Sequence, residues 1–214
     1  MIRAIIFDLD GTLVDTLGDI ATVMNGWLCS KSWPEHPLEA YRQMVGRGLA
    51  RLIQAAVPAS ESAHAETWYD EVFGAYEAMG IGESRPYPGV TETLQQLRDA
   101  GLPLAVISNK PDAITRSMVA ALFPSIDFAL VRGGLVGVPS KPNPVSALAA
   151  AQACAVAPCD CAFVGDSDVD MKTALAAGMM AVGAAWGFRG EAELRTAGAM
   201  LIISSMTELP SILS

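Results

Sequence analysis

The chain has 214 residues, of which 51% are apolar and only 17% charged, against a usual charged share of about 25%. That balance excludes a disordered chain and points to segments buried on both faces, as in a parallel sheet covered by helices. The formal charge of −9, with no cluster of Lys and Arg, excludes a nucleic-acid surface, which needs a basic stripe.

The first element is a short β-branched run, Ala4-Ile5-Ile6-Phe7, which reads as a buried strand. It ends in two carboxylates, Asp8 and Asp10, followed by Gly11-Thr12. Paired acids at the end of a buried strand repel one another and are costly to dehydrate, so a positive partner is expected beside them, most economically a metal ion. The run is too short and too soon acidic for a secretory signal. The longest weakly polar stretch, Ala174 to Phe188, is too short for a membrane span and is broken by Gly178, Gly183 and Gly187. No membrane contact is expected, and the expected location is cytoplasmic.

After Asp15 the pattern becomes helical. Leu17, Ile20, Ala21, Met24, Trp27 and Leu28 form one apolar face, and Pro34 and Pro37 interrupt it. A second pattern carries Val45, Leu49, Leu52, Ile53 and Ala56 and ends at Pro58. A third starts at Ser60 or Ser62 and carries Ala65, Trp68, Tyr69, Val72, Tyr76 and Met79. Gly80 to Gly89 reads as a hinge or linker. The expected division is therefore an all-helical insert over 16–84 and an α/β core made of 1–15 and 85–214.

From Pro88 onward, helices and strands alternate. A helix through Val90, Leu94 and Leu97 stops at Gly101. The strand Leu102 to Ile107 ends at Ser108-Asn109-Lys110-Pro111, and a helix through Ile114, Met118 and Leu122 follows. Phe128 to Val131 is the next expected strand. A glycine-rich loop with Gly133, Gly134 and Gly137 then delivers Lys141. A helix through Val145 and Leu148 leads to the strand Cys161 to Val164, which ends at Gly165-Asp166-Ser167-Asp168-Val169-Asp170. A further helix and two strands, Met180 to Ala185 and Met200 to Ile203, complete a doubly wound parallel sheet. Such sheets bind ligands beyond the carboxyl ends of their strands. Asp8/Asp10, Ser108/Asn109, Lys141 and Asp166/Asp170 all lie there, so they are expected to meet in one crevice.

Those groups suit a phosphate ester. Mg²⁺ takes hard oxygen ligands, N–H groups at a helix start bind phosphate oxygens, and a lysine neutralises a transferring phosphoryl group. A carboxylate can attack phosphorus to form an aspartyl-phosphate, with a second acid moving the proton. The cysteines (Cys29, Cys154, Cys159, Cys161) lack metal-site spacing and read as small buried thiols.

The four segments Asp8-Leu9-Asp10-Gly11-Thr12, Ser108-Asn109-Lys110, Lys141-Pro142 and Gly165-Asp166-Ser167-Asp168-Val169-Asp170 resemble, in order, the motifs of the haloacid dehalogenase (HAD) superfamily. The resemblance covers the whole chain. It implies a Rossmann-like core with a helical cap, with Asp8 as nucleophile and Asp10 as general acid/base. It also implies Mg²⁺ held by Asp8, Asp166 and the Asp10 carbonyl, phosphate held by Ser108, Asn109 and Lys141, and Asp170 supporting the metal through water. Asp168 matches no fixed acid and is expected to cap the following helix. Val14-Asp15-Thr16, Val45-Gly46-Arg47-Gly48-Leu49, Ser108-Asn109-Lys110-Pro111 and Trp186-Gly187 are similar to the phosphoglycolate phosphatase group.

Arg47 is a candidate for a substrate carboxylate, or a solvated arginine beside two glycines. Lys110 and Arg189 read as surface charges or outer supports of the site. His36 and His64 have no partner motif and are not expected to be catalytic. The leading expectation is a phosphatase of a small phosphorylated metabolite, with 2-phosphoglycolate as the first candidate. Alternatives are a sugar-phosphate mutase, a nucleotide phosphatase or pyrophosphatase of the same fold, and, more remotely, a dehalogenase or an inactive binding module. The sequence leaves the oligomeric state open.

Overall fold

A computed structural model describes residues 1–212. The chain begins with strand β1 (Ala4–Phe7) and the short β2 (Val14–Asp15), then helices α1 (Leu17–Ser30), α2 (Leu38–Met44), α3 (Leu49–Ala56) and α4 (Tyr69–Met79). After β3 (Arg85–Pro86) and α5 (Val90–Asp99) come β4 (Leu104–Pro111), α6 (Asp112–Leu122), β5 (Leu130–Gly134) and α7 (Val145–Ala153). The remainder is β6 (Cys161–Gly165), α8 (Asp168–Ala176), β7 (Met180–Ala184), α9 (Glu191–Thr196), β8 (Leu201–Ile203) and α10 (Leu209–Ile212).

Six strands form a parallel sheet in the order β5-β4-β1-β6-β7-β8. The period-2 alternation of a strand assigns its side chains to two faces. Ile5 and Phe7 of β1, Leu104 and Val106 of β4, and Ala162 and Val164 of β6 join one buried cluster with Leu94 and Leu97 of α5 and Met118 of α6. Ala4, Ile6, Ala105, Ile107 and Phe163 face the other way, onto Ala147 and Ala150 of α7, Met171 and Ala174 of α8 and Leu194 of α9. The sheet is buried on both sides, which accounts for its nearly continuous apolar strands. With β1 central and the chain crossing to β4 on one side and β6 on the other, the carboxyl ends of these three strands frame the crevice.

A third cluster belongs to the helices between β2 and β3. Leu17, Met24, Leu28, Tyr41, Ile53, Val72 and Tyr76 pack together, and Phe188 joins them from the sheet half. The chain leaves and re-enters the sheet half through an antiparallel ribbon in which Val14 faces Pro86 and Asp15 faces Arg85. Asp19 on α1 closes this junction. Its carboxylate accepts the N–H groups of Gly82 (3.1 Å), Glu83 (2.7 Å) and Ser84 (3.0 Å), and the Ser84 hydroxyl at 2.5 Å. Burial alone would raise the Asp19 carboxyl, but these four donors outweigh it and hold it below its ordinary value.

Local differences from the sequence expectations have physical causes. Helix α2 was not expected, because only Tyr41 of its residues is buried and no apolar stripe marks it. Pro37, read as an interruption, instead sits at its N-cap, where a missing N–H is harmless. The third helical pattern is a 3₁₀ segment, Ser62–Trp68, followed by α4. The strand expected at Phe128 to Val131 runs instead from Leu130 to Gly134, so two glycines assigned to a loop are strand. A Cβ at Gly133 would come within 3 Å of the Lys110 carbonyl, the Asp112 Cα and the Thr115 hydroxyl, so the backbones meet where only glycine fits. Strand β4 likewise continues through Ser108, Asn109 and Lys110 to Pro111, with a register shift against β5 after Ile107. Of the four thiols, Cys154 and Cys161 are buried as expected, whereas Cys29 and Cys159 are exposed. Among the described residues no helix is long and apolar enough to cross a membrane.

Candidate active site

Asp8 directly follows β1 and Asp166 directly follows β6, while Lys141 arrives on the loop between β5 and α7. Lys141 organises the group. Its Nζ lies 2.7 Å from Asp8 Oδ1 and 2.7 Å from Asp170 Oδ1, and its side chain is 3% exposed. The other Asp170 oxygen accepts the Ser167 N–H (3.1 Å) and hydroxyl (2.6 Å), which fixes the start of α8. The cap of α8 is thus a Ser167–Asp170 pair rather than Asp168, a correction to the sequence expectation. Asp168 instead accepts from Lys172 one turn on (2.7 Å) and from Arg47 (3.0 Å).

Asp166 Oδ2 accepts the Phe188 N–H at 2.7 Å. Its carboxylate fits because Gly187 has no side chain: a Cβ there would overlap the Asp166 side chain and the Gly11 carbonyl. Oxygens of Asp8, Asp166 and Asp170 lie within 4.8 Å of one another, and all three residues are buried. Three carboxylates against the single Lys141 ammonium give a formal charge of −2 when all are ionised. Burial and this crowding of charge act together on their protonation. Burial first, and then the Asp170 charge, push Asp8 up to about 7 against the pull of Lys141. Burial and the Asp170 and Asp8 charges likewise raise Asp166 well above the ordinary carboxylate range. Lys141 is held above its usual value, because Asp170 and Asp8 outweigh its desolvation. A surplus of negative charge among hard oxygens fits a divalent cation, which would neutralise it.

Next to this cluster lies a pocket of about 480 Å³, counted with its open mouth. Its floor is polar, with Asp8, Asp10, Ser108, Asn109 and Lys110; Ile20, Leu49, Leu52 and Tyr76 from the helices between β2 and β3 close it from above. Ser108 Oγ accepts the Lys110 N–H (3.1 Å), leaving its O–H to donate. The Asn109 amide is spent on the backbone: Oδ1 accepts the Lys141 N–H (2.9 Å), and Nδ2 donates to the Lys141 carbonyl (3.1 Å) and the Gly46 carbonyl (2.9 Å). Asn109 therefore fixes the lysine loop and ties it to the loop before α3. One Asp10 oxygen, Oδ1, accepts both the Thr16 hydroxyl (2.7 Å) and Lys110 Nζ (3.0 Å).

Of the two readings open for Lys110 and Arg189, surface charge or outer support, the surface one is overturned. The Lys110 side chain is 6% exposed, paired with Asp10, and lines the pocket. Its segment reads as a turn after a strand, so nothing in the sequence marks it as buried. Arg189 is also buried along its side chain and joins the two halves, donating to the Gln43 side chain and to the carbonyls of Gln43 (3.0 Å) and Val45 (2.9 Å). Arg47 does not line the pocket; its half-exposed guanidinium pairs with Asp168. His36 accepts a structural role, its Nε2 lying 2.7 Å from the Ala56 carbonyl.

Comparison with known proteins agrees with this geometry. Residues 2–178 match the family model of haloacid dehalogenase-like hydrolases. A phosphoglycolate phosphatase of Xylella fastidiosa is 34% identical over 187 residues, 87% of this chain and 82% of that one. One of Chromobacterium violaceum is 33% identical over 213 residues, 97% of this chain and 95% of its own. A crystal structure described as a predicted phosphoglycolate phosphatase from Haemophilus somnus superposes with a TM-score of 0.89 at 29% identity, covering 100% of this chain and 98% of that one. The motifs, the parallel sheet and these similarities have one common explanation: the chain belongs to the haloacid dehalogenase-like hydrolases.

Proposed function

We propose that the protein is a Mg²⁺-dependent phosphatase that hydrolyses 2-phosphoglycolate to glycolate and inorganic phosphate. The observation that carries the reaction class is the buried, net-negative cluster of Asp8, Asp166 and Asp170 around Lys141, opening beside Asp10 onto a pocket. The substrate rests on the relatives named phosphoglycolate phosphatase, which match most of the chain.

Asp8 is the nucleophile: one of its oxygens bonds to phosphorus as the phosphorus–oxygen bond to the glycolate breaks. The departing alkoxide takes a proton from the Asp10 carboxyl, held by Thr16 and Lys110. Water then attacks the aspartyl-phosphate, giving its proton back to Asp10 and freeing phosphate and Asp8. Ser108 donates to a phosphoryl oxygen, Lys141 neutralises its charge from beneath, and Asn109 holds the Lys141 loop in place. Asp8, Asp166 and the Asp10 carbonyl would hold Mg²⁺, with Asp170 as support; the bound ion would neutralise negative charge on the phosphoryl group. The helical residues 16–84 act as a cap over a core formed by 1–15 and 85–214, excluding water from the acyl phosphate. Free thiols and a small phosphorylated substrate favour the cytoplasm.

The test is phosphate release from 2-phosphoglycolate, nucleotides, sugar phosphates and pyrophosphate, with Mg²⁺ and with EDTA. Phosphoglycolate should rank first and EDTA should abolish turnover reversibly. Asp8→Asn should lower kcat by at least about a thousandfold without unfolding the protein. Phosphate transfer without free phosphate would instead indicate a mutase.

A further inference from the structure

A phosphorylated hydroxy acid carries a second anion, its carboxylate, outside the phosphoryl site. Arg47, the candidate from the sequence, is turned away to Asp168. Among the residues lining the pocket, Lys110 is the only cation. Its ammonium carries three N–H donors, and among the described residues only the contact to Asp10 Oδ1 uses one of them. Tyr76 stands over it from the opposite wall, with its ring 5.4 Å from Nζ. The rest of that wall, Ile20, Leu49 and Leu52, supplies no hydrogen-bond acceptor from a side chain. The other N–H groups of an ammonium that lines a pocket are open to a ligand there, and an anion gains more from them than a neutral group does.

We infer that Lys110 is the specificity residue of the site, receiving the carboxylate of the substrate while it holds Asp10. This rests on the phosphatase reading above and adds to it which group recognises the leaving half. One ammonium would then bridge the acid/base carboxyl and the substrate carboxylate, setting the leaving oxygen beside Asp10. The aliphatic side chains of Ile20, Leu49 and Leu52 account for the other half of the selection, since they give no partner to the extra hydroxyls of a sugar phosphate and leave only the Tyr76 hydroxyl on that wall. The recognised class is a short phosphate ester with a carboxylate close to the ester oxygen.

The test compares 2-phosphoglycolate and longer phosphorylated hydroxy acids with ethyl phosphate, which lacks the carboxylate, in the full-length protein with Mg²⁺. Wild type, Lys110→Met, Lys110→Gln and Lys110→Arg are measured; the Gln variant keeps an N–H toward Asp10 without the charge. The neutral variants should raise KM for phosphoglycolate about ten- to a hundredfold and KM for ethyl phosphate less than about threefold. Their kcat should fall for both esters, because Asp10 loses its partner, and Lys110→Arg should restore most of the KM preference. If the wild type prefers phosphoglycolate and the neutral variants keep the same KM ratio, the role of Lys110 is refuted while the substrate stands. If another carboxylate-bearing ester ranks first and loses its advantage in the neutral variants, the substrate is wrong and the role of Lys110 stands. A wild type indifferent to the carboxylate refutes both.

Discussion

Asp19→Ala isolates the junction between the helical segment and the sheet half, because Asp19 touches no part of the catalytic cluster. The substitution removes one acceptor from four donors. Gly82 and Glu83 are exposed, so their N–H groups can turn to water. Ser84 is 1% exposed, so its N–H and hydroxyl are left buried and unpaired. Each stranded donor costs about 1–3 kcal/mol, giving a loss of about 3 kcal/mol against a total stability of about 5–15 kcal/mol. With a urea slope of about 3 kcal/mol/M for a chain of this size, the unfolding midpoint should fall by about 1 M. The pH dependence fixes the cause. A carboxyl held below its ordinary value contributes stability that is complete above the unfolded pKa and is lost as pH falls through the folded one. The gap between wild type and variant should therefore be full at pH 7 and narrow as pH drops below about 4. A midpoint shift under about 0.2 M at pH 7, or a gap that does not narrow in acid, would refute the reasoning.

Two further substitutions probe the site from different sides. Gly187→Ala adds a methyl group where the Asp166 side chain and the Gly11 carbonyl already stand, so it should displace Asp166 and lower kcat by at least about a hundredfold with no polar group removed; near-normal turnover would contradict the packing. Arg47→Ala breaks a half-exposed ion pair and should change stability by less than about 1 kcal/mol. Its KM for phosphoglycolate and for ethyl phosphate should change alike; a selective rise for phosphoglycolate would return the carboxylate to Arg47.

The strand–helix alternation from Pro88 onward was legible because strands buried on both faces read as apolar runs, and the groups that end them are chemically unlike the runs. Asp8, Asp166 and Lys141 were found that way. Boundaries were harder: Gly133 and Gly134 carry no β signal, and only the approach of the Lys110 backbone reveals why glycine is there. Helix α2 has a single buried residue and so leaves no period to detect.

The sequence by itself determined that these acids and the lysine would share the carboxyl edge of one sheet, because that follows from the order of short-range patterns. Tertiary structure alone decided how they divide the work. Whether Arg47 or Lys110 faces the pocket and whether Asn109 is spent on the backbone depend on contacts between residues up to 121 positions apart, as in the Arg47–Asp168 pair. No local periodicity records such distances. The opening motif carries the proposed chemistry, and the burial of one lysine beside Asp10 gives it its proposed selectivity.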